Sequence, residues 1–245
     1  MKLKLITAAL VCLALLSACG GVNQPIDISD DSIVDGSLST VNGPIRIGNR
    51  AQVRGSVSNV NGSVRVGSEA ELGAISNVNG SIELGEQARA ASLDSVNGSV
   101  TLLGQARVSL NASTVNGRIV VGEGSHIGGD LSTVNGRVEL AAGSQVEGRV
   151  ATVNGNILLN AASAGRVATY SGSIQLNGGS RIEGELRVRR PSTIRGRPPT
   201  ITIGPDSEVV GPLVFERTVV LYVHDSATVG EIEGAEAIRF SGEQP

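Results

Sequence analysis

The sequence predicts an all-β chain: a single-stranded β-helix, or β-solenoid, of parallel strands with about 18–19 residues per turn. Three observations carry that prediction. First, Val-Asn-Gly occurs seven times, with its asparagines at Asn42, Asn61, Asn79, Asn97, Asn116, Asn135 and Asn154. The intervals are 19, 18, 18, 19, 19 and 19 residues, and a period held that tightly is the mark of one unit stacked on itself. Second, each period holds short runs in which apolar and polar residues alternate, the pattern of half-buried strands. Third, the aromatics are only Tyr170, Phe215, Tyr222 and Phe240, while Val, Ile, Leu, Ala, Gly and Ser abound. Small and β-branched side chains suit identical layers at strand spacing.

The chain begins with a segment that reads as a targeting signal, expected at 1–18. Lys2 and Lys4 form a basic start, and Leu5 to Leu16 is apolar but short for a membrane span. Leu16-Ser17-Ala18-Cys19 then resembles a bacterial lipobox, which implies cleavage before Cys19 and lipidation of its thiol. Gly20, rather than Asp, follows the cysteine, and in the Gram-negative lipoprotein pattern that implies the outer membrane, on its periplasmic or surface side. Cys12 leaves with the signal, so no cysteine remains for a disulfide or a thiolate metal site. Loss of both lysines leaves 18 basic residues against 23 acidic ones, a formal charge of −5, which argues against nucleic acid as a partner.

Residues 19–34 are expected to form an acidic tether, with Asp27, Asp30, Asp31 and Asp35 solvated. Their spacing matches no calcium loop. The β-helix is expected over 35–245. In one full turn Val64, Val66, Ala70 and Leu72 alternate with polar residues, and Val57 and Val60 are expected to complete about six buried aliphatic side chains. Gly or Asn-Gly closes each run, where positive φ permits a corner. Asn-Gly between apolar runs is also a hairpin signal, so an antiparallel meander is the competing architecture. Only one of about three runs per period carries Asn-Gly, which favours a coil. Ten turns at about 4.8 Å would span roughly 48 Å. A right-handed coil is expected, because parallel crossovers are right-handed as a rule. A left-handed hexapeptide coil is the alternative, since Val66-Gly67, Leu72-Gly73, Val78 and Leu84-Gly85 recur every six residues.

After Asn154 the pattern continues more loosely, with Tyr170-Ser171-Gly172 in place of Val-Asn-Gly. Residues 187–200 form an excursion rich in Arg and Pro, and the turns from about 187 are atypical, as terminal repeats of solenoids commonly are.

The half-turn after Asn-Gly reads apolar-x-apolar-Gly, then a small residue, then apolar-x-Gly-x-apolar. Ile45, Ile47, Gly48, Ala51, Val53, Gly55, Val57 fits, as do Val138, Leu140, Ser144, Val146, Gly148, Val150 and Ile174, Leu176, Ser180, Ile182, Gly184, Leu186. This resembles the repeat of bactofilins, polymer-forming bacterial cytoskeletal proteins, over roughly residues 35 to 213. The Val-Asn-Gly-Ser element also resembles β-strand-repeat proteins described as adhesins. The bactofilin resemblance implies a right-handed β-helix that assembles end to end without nucleotide. Bactofilins are cytoplasmic, whereas this chain carries an export signal, so the likeness does not extend to compartment.

Candidate chemistry is sparse. The asparagine column is expected to be structural, its side chains bonding to each other and to corner backbone groups. Arg187, Arg189, Arg190, Arg195 and Arg197 form the one dense charge cluster, a candidate site for phosphates or carboxylates. His126 and His224 stand far apart with no neighbouring Cys, so neither a metal nor a cofactor is expected. Glu69, Glu71, Glu83 and Glu86 are the carboxylates a polysaccharide-degrading enzyme would need, but no aromatic lies near them in sequence. The expected function is a non-catalytic, lipid-anchored envelope scaffold that associates end to end. The alternative is an adhesin or a module binding envelope polysaccharide.

Overall fold

The computed structural model describes residues 23–191, 197–242 and 245. The expected signal, Cys19 and Arg195 lie outside the described residues. The chain is a β-solenoid, and its strands pair in parallel with segments one turn away. Ile45 lies beside Val64, Val64 beside Ile82, and Ile82 beside Val100. Each turn contributes three strand segments, the second and third of which run together in Gln145–Thr152 and Ser163–Thr169. The first face holds twelve strands, one per turn, from Ile26–Ile28 through Ile45–Ile47 and Val64–Val66 to Ala237–Phe240. The second face is built of two-residue strands such as Glu71–Leu72, and the third of longer ones such as Val57–Asn61. These two faces form one twenty-strand sheet, because Gln145–Thr152 runs through both with a bulge between Val146 and Arg149. The hairpin alternative is excluded: Asn-Gly turns a corner of the coil and does not reverse the strand. The eleven steps between the twelve strands span roughly 53 Å at about 4.8 Å each.

The core follows from the two-residue alternation. Val64 and Val66 of the first face, Ala70 at a corner, Leu72 of the second face and Val57 of the third all point inward and are buried. Val60 does not join them. In Val57–Asn61 the inward positions are Val57 and Asn59, which leaves Ser58 and Val60 on the outer side, half-buried. A turn therefore buries five aliphatic side chains and one polar one, not six aliphatic. The valines and the leucine each contribute about 1.5–3 kcal/mol before conformational entropy is charged. Repetition turns those positions into vertical files. Ile82, Val100, Ile119, Val138 and Ile157 stack in register, and every one is at most 1% exposed.

Two corners set the shape. At the Val-Asn-Gly corner successive backbones touch. A Cβ on Gly117 would lie 2.0 Å from the carbonyl oxygen of Gly98, a distance no side chain tolerates. At the other corner the chain enters the left-handed region with ordinary residues: Arg50, Glu69, Gln87 and Gln105 have φ between 55° and 59°. The next residue turns inward and is always small in these turns, namely Ala51, Ala70, Ala88 and Ala106. Later turns use Ser125, Ser144 and Ser180 there, whose hydroxyls donate to the carbonyls of Leu103, Ala141 and Asn177 at 2.6–2.8 Å.

The solenoid begins earlier than expected. Much of the expected tether over 19–34 is its first turn: Ile26–Ile28 pairs with Ile45–Ile47, and Ile33–Val34 pairs with Gln52–Val53. The acidic residues in that turn hid its strand pattern, because they lie on the outer side, where Asp27, Asp31 and Asp35 face arginines and Asp30 faces Asn49 of the next turn. The excursion after residue 187 leaves the coil at the end of strand Leu186–Val188, and pairing resumes at Thr200–Ile203. That turn is 27 residues long, so Arg181 meets Glu208.

Replacing Gly117 with Ala is expected to cost roughly 2–4 kcal/mol, because two backbones must separate to admit the methyl group. Glu69→Gly at the opposite corner is expected to stabilise the fold by about 0.5–1 kcal/mol, since relief of the left-handed strain exceeds the entropy cost of glycine. Denaturant unfolding of the two variants, followed by far-ultraviolet circular dichroism, checks both signs.

Candidate functional site

The asparagine column is a continuous ladder on the outer corner. Each Nδ2 donates to the Oδ1 of the asparagine one turn earlier. Asn61 donates to Asn42 at 2.8 Å, Asn79 to Asn61 at 2.9 Å, Asn97 to Asn79 at 3.0 Å and Asn116 to Asn97 at 2.9 Å. Asn135 and Asn154 extend it upward at 2.8 and 3.0 Å, and Asn42 donates downward to Asn23 at 2.6 Å. All the amides point the same way, so the ladder has a direction, and its rungs are exposed to solvent.

The expectation that these asparagines also satisfy corner backbone groups needs correction. That task falls to the residue two positions earlier, which points inward. Thr114, Thr133 and Thr152 donate to the carbonyls of Gly98, Gly117 and Gly136 at 2.9, 3.0 and 3.3 Å. Asn59 and Asn77 do the same for Gly43 and Gly62. Their Oδ1 atoms are buried with no donor to accept from among the described residues, and the hydroxyl of Ser95 is likewise without a partner. The signal for this column was present in the sequence as Thr/Asn/Ser-Val-Asn-Gly, and period-2 alternation alone would have placed it inside.

The charged residues also pair across turns. Arg46 meets Asp27 at 3.0 Å, Arg54 meets Asp35 at 2.6 Å, and the backbone N–H of Asn49 donates to Asp30 at 2.8 Å. Arg50 grips Asp31 with two bonds, at 2.7 and 2.8 Å. Each partner is 19 residues away, one turn along the coil. The hydrogen bond from Arg50 holds the Asp31 carboxyl below its usual range and raises the guanidinium correspondingly.

The predicted arginine cluster is divided by the structure. Arg187 is neutralised: it binds Glu185 through Nε at 2.8 Å and Glu216 through Nη1 at 2.7 Å, and these bonds raise its pKa. The backbone N–H of Arg190 donates to Glu216, and this bond, with that from Arg187, lowers the Glu216 pKa. Arg197 is exposed in the excursion. Of the described members of the cluster, Arg189 alone lines a cleft. Its guanidinium lies 5.8 Å from the centroid of the Tyr170 ring, and Nη1 is 3.4 Å from the phenol oxygen. The cleft also takes in Arg149, Val153, Ala151 and Ala168, residues that sequence reasoning did not connect. Strand pairing connects them: Ala151 lies beside Ala168, and Tyr170 occupies the place that Val153 holds one turn earlier.

The four candidate carboxylates do not converge. Glu83 is on the first face, Glu71 is on the second and lies 3.5 Å from Arg89, and Glu69 and Glu86 are at the corner between these faces. His126 reaches Glu147 at 3.2 Å, and His224 bonds Ser226 beside Phe240. Among the described residues no three His, Cys, Asp or Glu side chains gather as a metal site, and no helix is long and apolar enough to cross a membrane. The chain matches no protein-family description, no curated protein and no solved structure at a significant level.

Two outcomes follow for these columns. Thr133→Val is expected to cost about 1–2 kcal/mol, because it strands a buried carbonyl, whereas Asn135→Ala on the exposed ladder is expected to cost less than about 1 kcal/mol. Paired denaturation curves order the two. The pKa values of Asp31, Glu183 and Glu216 are depressed, by Arg50, by Arg181 and by the Arg190 N–H with Arg187 respectively. A depressed carboxylate contributes stability above its unfolded pKa and loses it as pH falls through the folded value. Stability is therefore expected to be level from pH 7 to about 5 and to decline below about pH 4. The decline is expected to be shallower in Asp31→Asn combined with Glu216→Gln, as read by urea midpoints across that range.

Proposed function

We propose that the protein is a non-catalytic, lipid-anchored element of the bacterial envelope whose coils stack end to end into filaments, as the bactofilin resemblance implies. One observation carries this reading: the core does not close at the described ends. Ile26–Ile28 and Ala237–Phe240 each have a strand partner on one side only among the described residues. Inward positions that are sealed in mid-coil are only partly buried there, as at Ile26, Ile28 and Val34 on one end and Val229, Ile232 and Ala237 on the other. An open strand edge over an open core is a template for another strand. The two ends differ, so the contact is head to tail, and head-to-tail contacts that do not close into a ring propagate as a filament.

Direction is supported by the asparagine ladder, whose amides all point one way, so the same dipolar sense continues across a stacked joint. The lipid is supplied by Cys19 after removal of residues 1–18, and the acyl chains hold the rod at the outer membrane. The outer faces carry ion pairs, which fits a rod surrounded by water.

The test uses the Cys19→Ser chain, which lacks the acyl group, imaged by negative-stain microscopy over a concentration series. Filaments that lengthen with concentration are expected. Val229→Glu with Ile232→Glu places charge at the open end and is expected to leave short single rods with an unchanged β-sheet spectrum. Rods of one length at every concentration in the Cys19→Ser chain would refute assembly. Loss of metabolic fatty-acid labelling in Cys19→Ser checks the anchor separately.

A further inference from the structure

The third face of the solenoid changes character at one place. Over most of its length its outer side carries a file of half-buried valines, from Val41 to Val153, beside a file of small residues that includes Ser113, Ser132, Ala151 and Ala168. At the next turn the valine file ends in Tyr170, followed by Arg189. The result is a shallow cleft with a floor of Ala151 and Ala168, and with Arg149 and Arg189 among its walls.

The cations in this cleft are unequally matched. Arg149 is oriented by Asp130, which accepts from its backbone N–H at 2.8 Å and from Nη2 at 3.0 Å. Arg189 has no carboxylate within ion-pair distance among the described residues, and its one side-chain bond is the long one to the Tyr170 hydroxyl. The Nε–H groups of both arginines are shielded from water and have no acceptor. Behind the cleft Arg217 is 8% exposed, and its bond among the described residues is to the backbone carbonyl of Tyr170, at 3.2 Å. Glu216 offsets the charge of Arg189 only at longer range, and donors left without an acceptor favour an anion, since a buried donor without a partner is costly.

The form of the anion follows from the donor set and the lining. No carboxylate takes the Nη1 and Nη2 donors of Arg189 among the described residues, and the two parallel N–H groups at that end of the guanidinium match the two oxygens of a carboxylate. The rest of the lining is mostly apolar and small. A bare phosphate, hydrated on all sides, gains little from Ala151, Ala168 and Val153. A pyranose bearing a carboxylate gains from both parts, with its C–H face over the alanines and its carboxylate on Arg189. The Tyr170 hydroxyl accepts from Arg189 and keeps its own proton to donate to a sugar oxygen.

We propose that the cleft formed by Arg149, Ala168, Tyr170 and Arg189 binds a carboxylated polysaccharide, gripping one acidic sugar of the chain. This site does not depend on end-to-end stacking, because it lies on the side of the rod.

The test uses the full chain in mild detergent and a defined oligogalacturonate as probe. The protein has no tryptophan and two tyrosines, so Tyr222→Phe leaves Tyr170 as the sole tyrosine reporter. Saturable change of its emission is expected with oligogalacturonate and not with its methyl ester. Arg189→Gln in that background is expected to weaken binding at least about tenfold, whereas Arg65→Gln, exposed on the first face, is expected to leave it unchanged. Arg149→Gln, read by the same emission, provides a second variant should Arg189→Gln perturb the fold. Equal binding by all variants, equal binding of the methyl ester, or binding of phosphatidylglycerol vesicles without binding of oligogalacturonate would each overturn the proposal.

Discussion

Successive turns of this chain lie directly over one another at strand spacing, and that contact dictates nearly everything else. Where backbones meet at the Val-Asn-Gly corner, the carbonyl of Gly98 occupies the space a side chain on Gly117 would need. A corner that tight admits no Cβ, so the glycine returns in each turn from Gly43 to Gly172. Once the corner is invariant, the residues on either side fall into fixed positions, and each position is filled by the same kind of side chain. The aliphatic files inside and the asparagine file outside are consequences of that one steric condition.

Vertical stacking also decides how polar groups are satisfied. In a globular fold an inward threonine must find an acceptor among irregular neighbours. Here Thr114, Thr133 and Thr152 each meet the glycine carbonyl of the preceding turn, because the geometry is copied. The exposed asparagines meet copies of themselves, and an amide is well suited to that, since it carries a donor and an acceptor. Charged residues cannot stack on copies of themselves without repulsion. Between the first two turns opposite signs meet, with Arg46, Arg50 and Arg54 over Asp27, Asp31 and Asp35, whereas Arg65 follows Arg46 and Arg107 follows Arg89 in exposed files. These exposed pairs contribute little individually.

Much of this was legible in the residues. The period, the three strands per turn, the inward file through Val64, Val66, Ala70 and Leu72, and the structural role of the asparagines all follow from spacing and alternation. Three features were not. Val60 reads as core by its hydrophobicity, yet the alternation from Val57 places it outside. Ile26 and Ile28 belong to the first turn, but the surrounding aspartates read as a solvated linker until their arginine partners are known. Arg189 was visible as one of five arginines, while its association with Tyr170 and Arg149 was not, because those residues lie 19 and 40 positions earlier in the chain. Only the stacking register brings them together.

The sequence by itself determined the coil, since a period of 18 or 19 residues with a compulsory glycine corner has one economical solution in parallel strands. The tertiary structure decided which charges pair directly with each other. Ion pairing depends on distances between neighbouring turns, and the 27-residue turn shifts the later partners away from the regular period. Glu216 thereby reaches Arg187, while Arg189 is left facing the cleft.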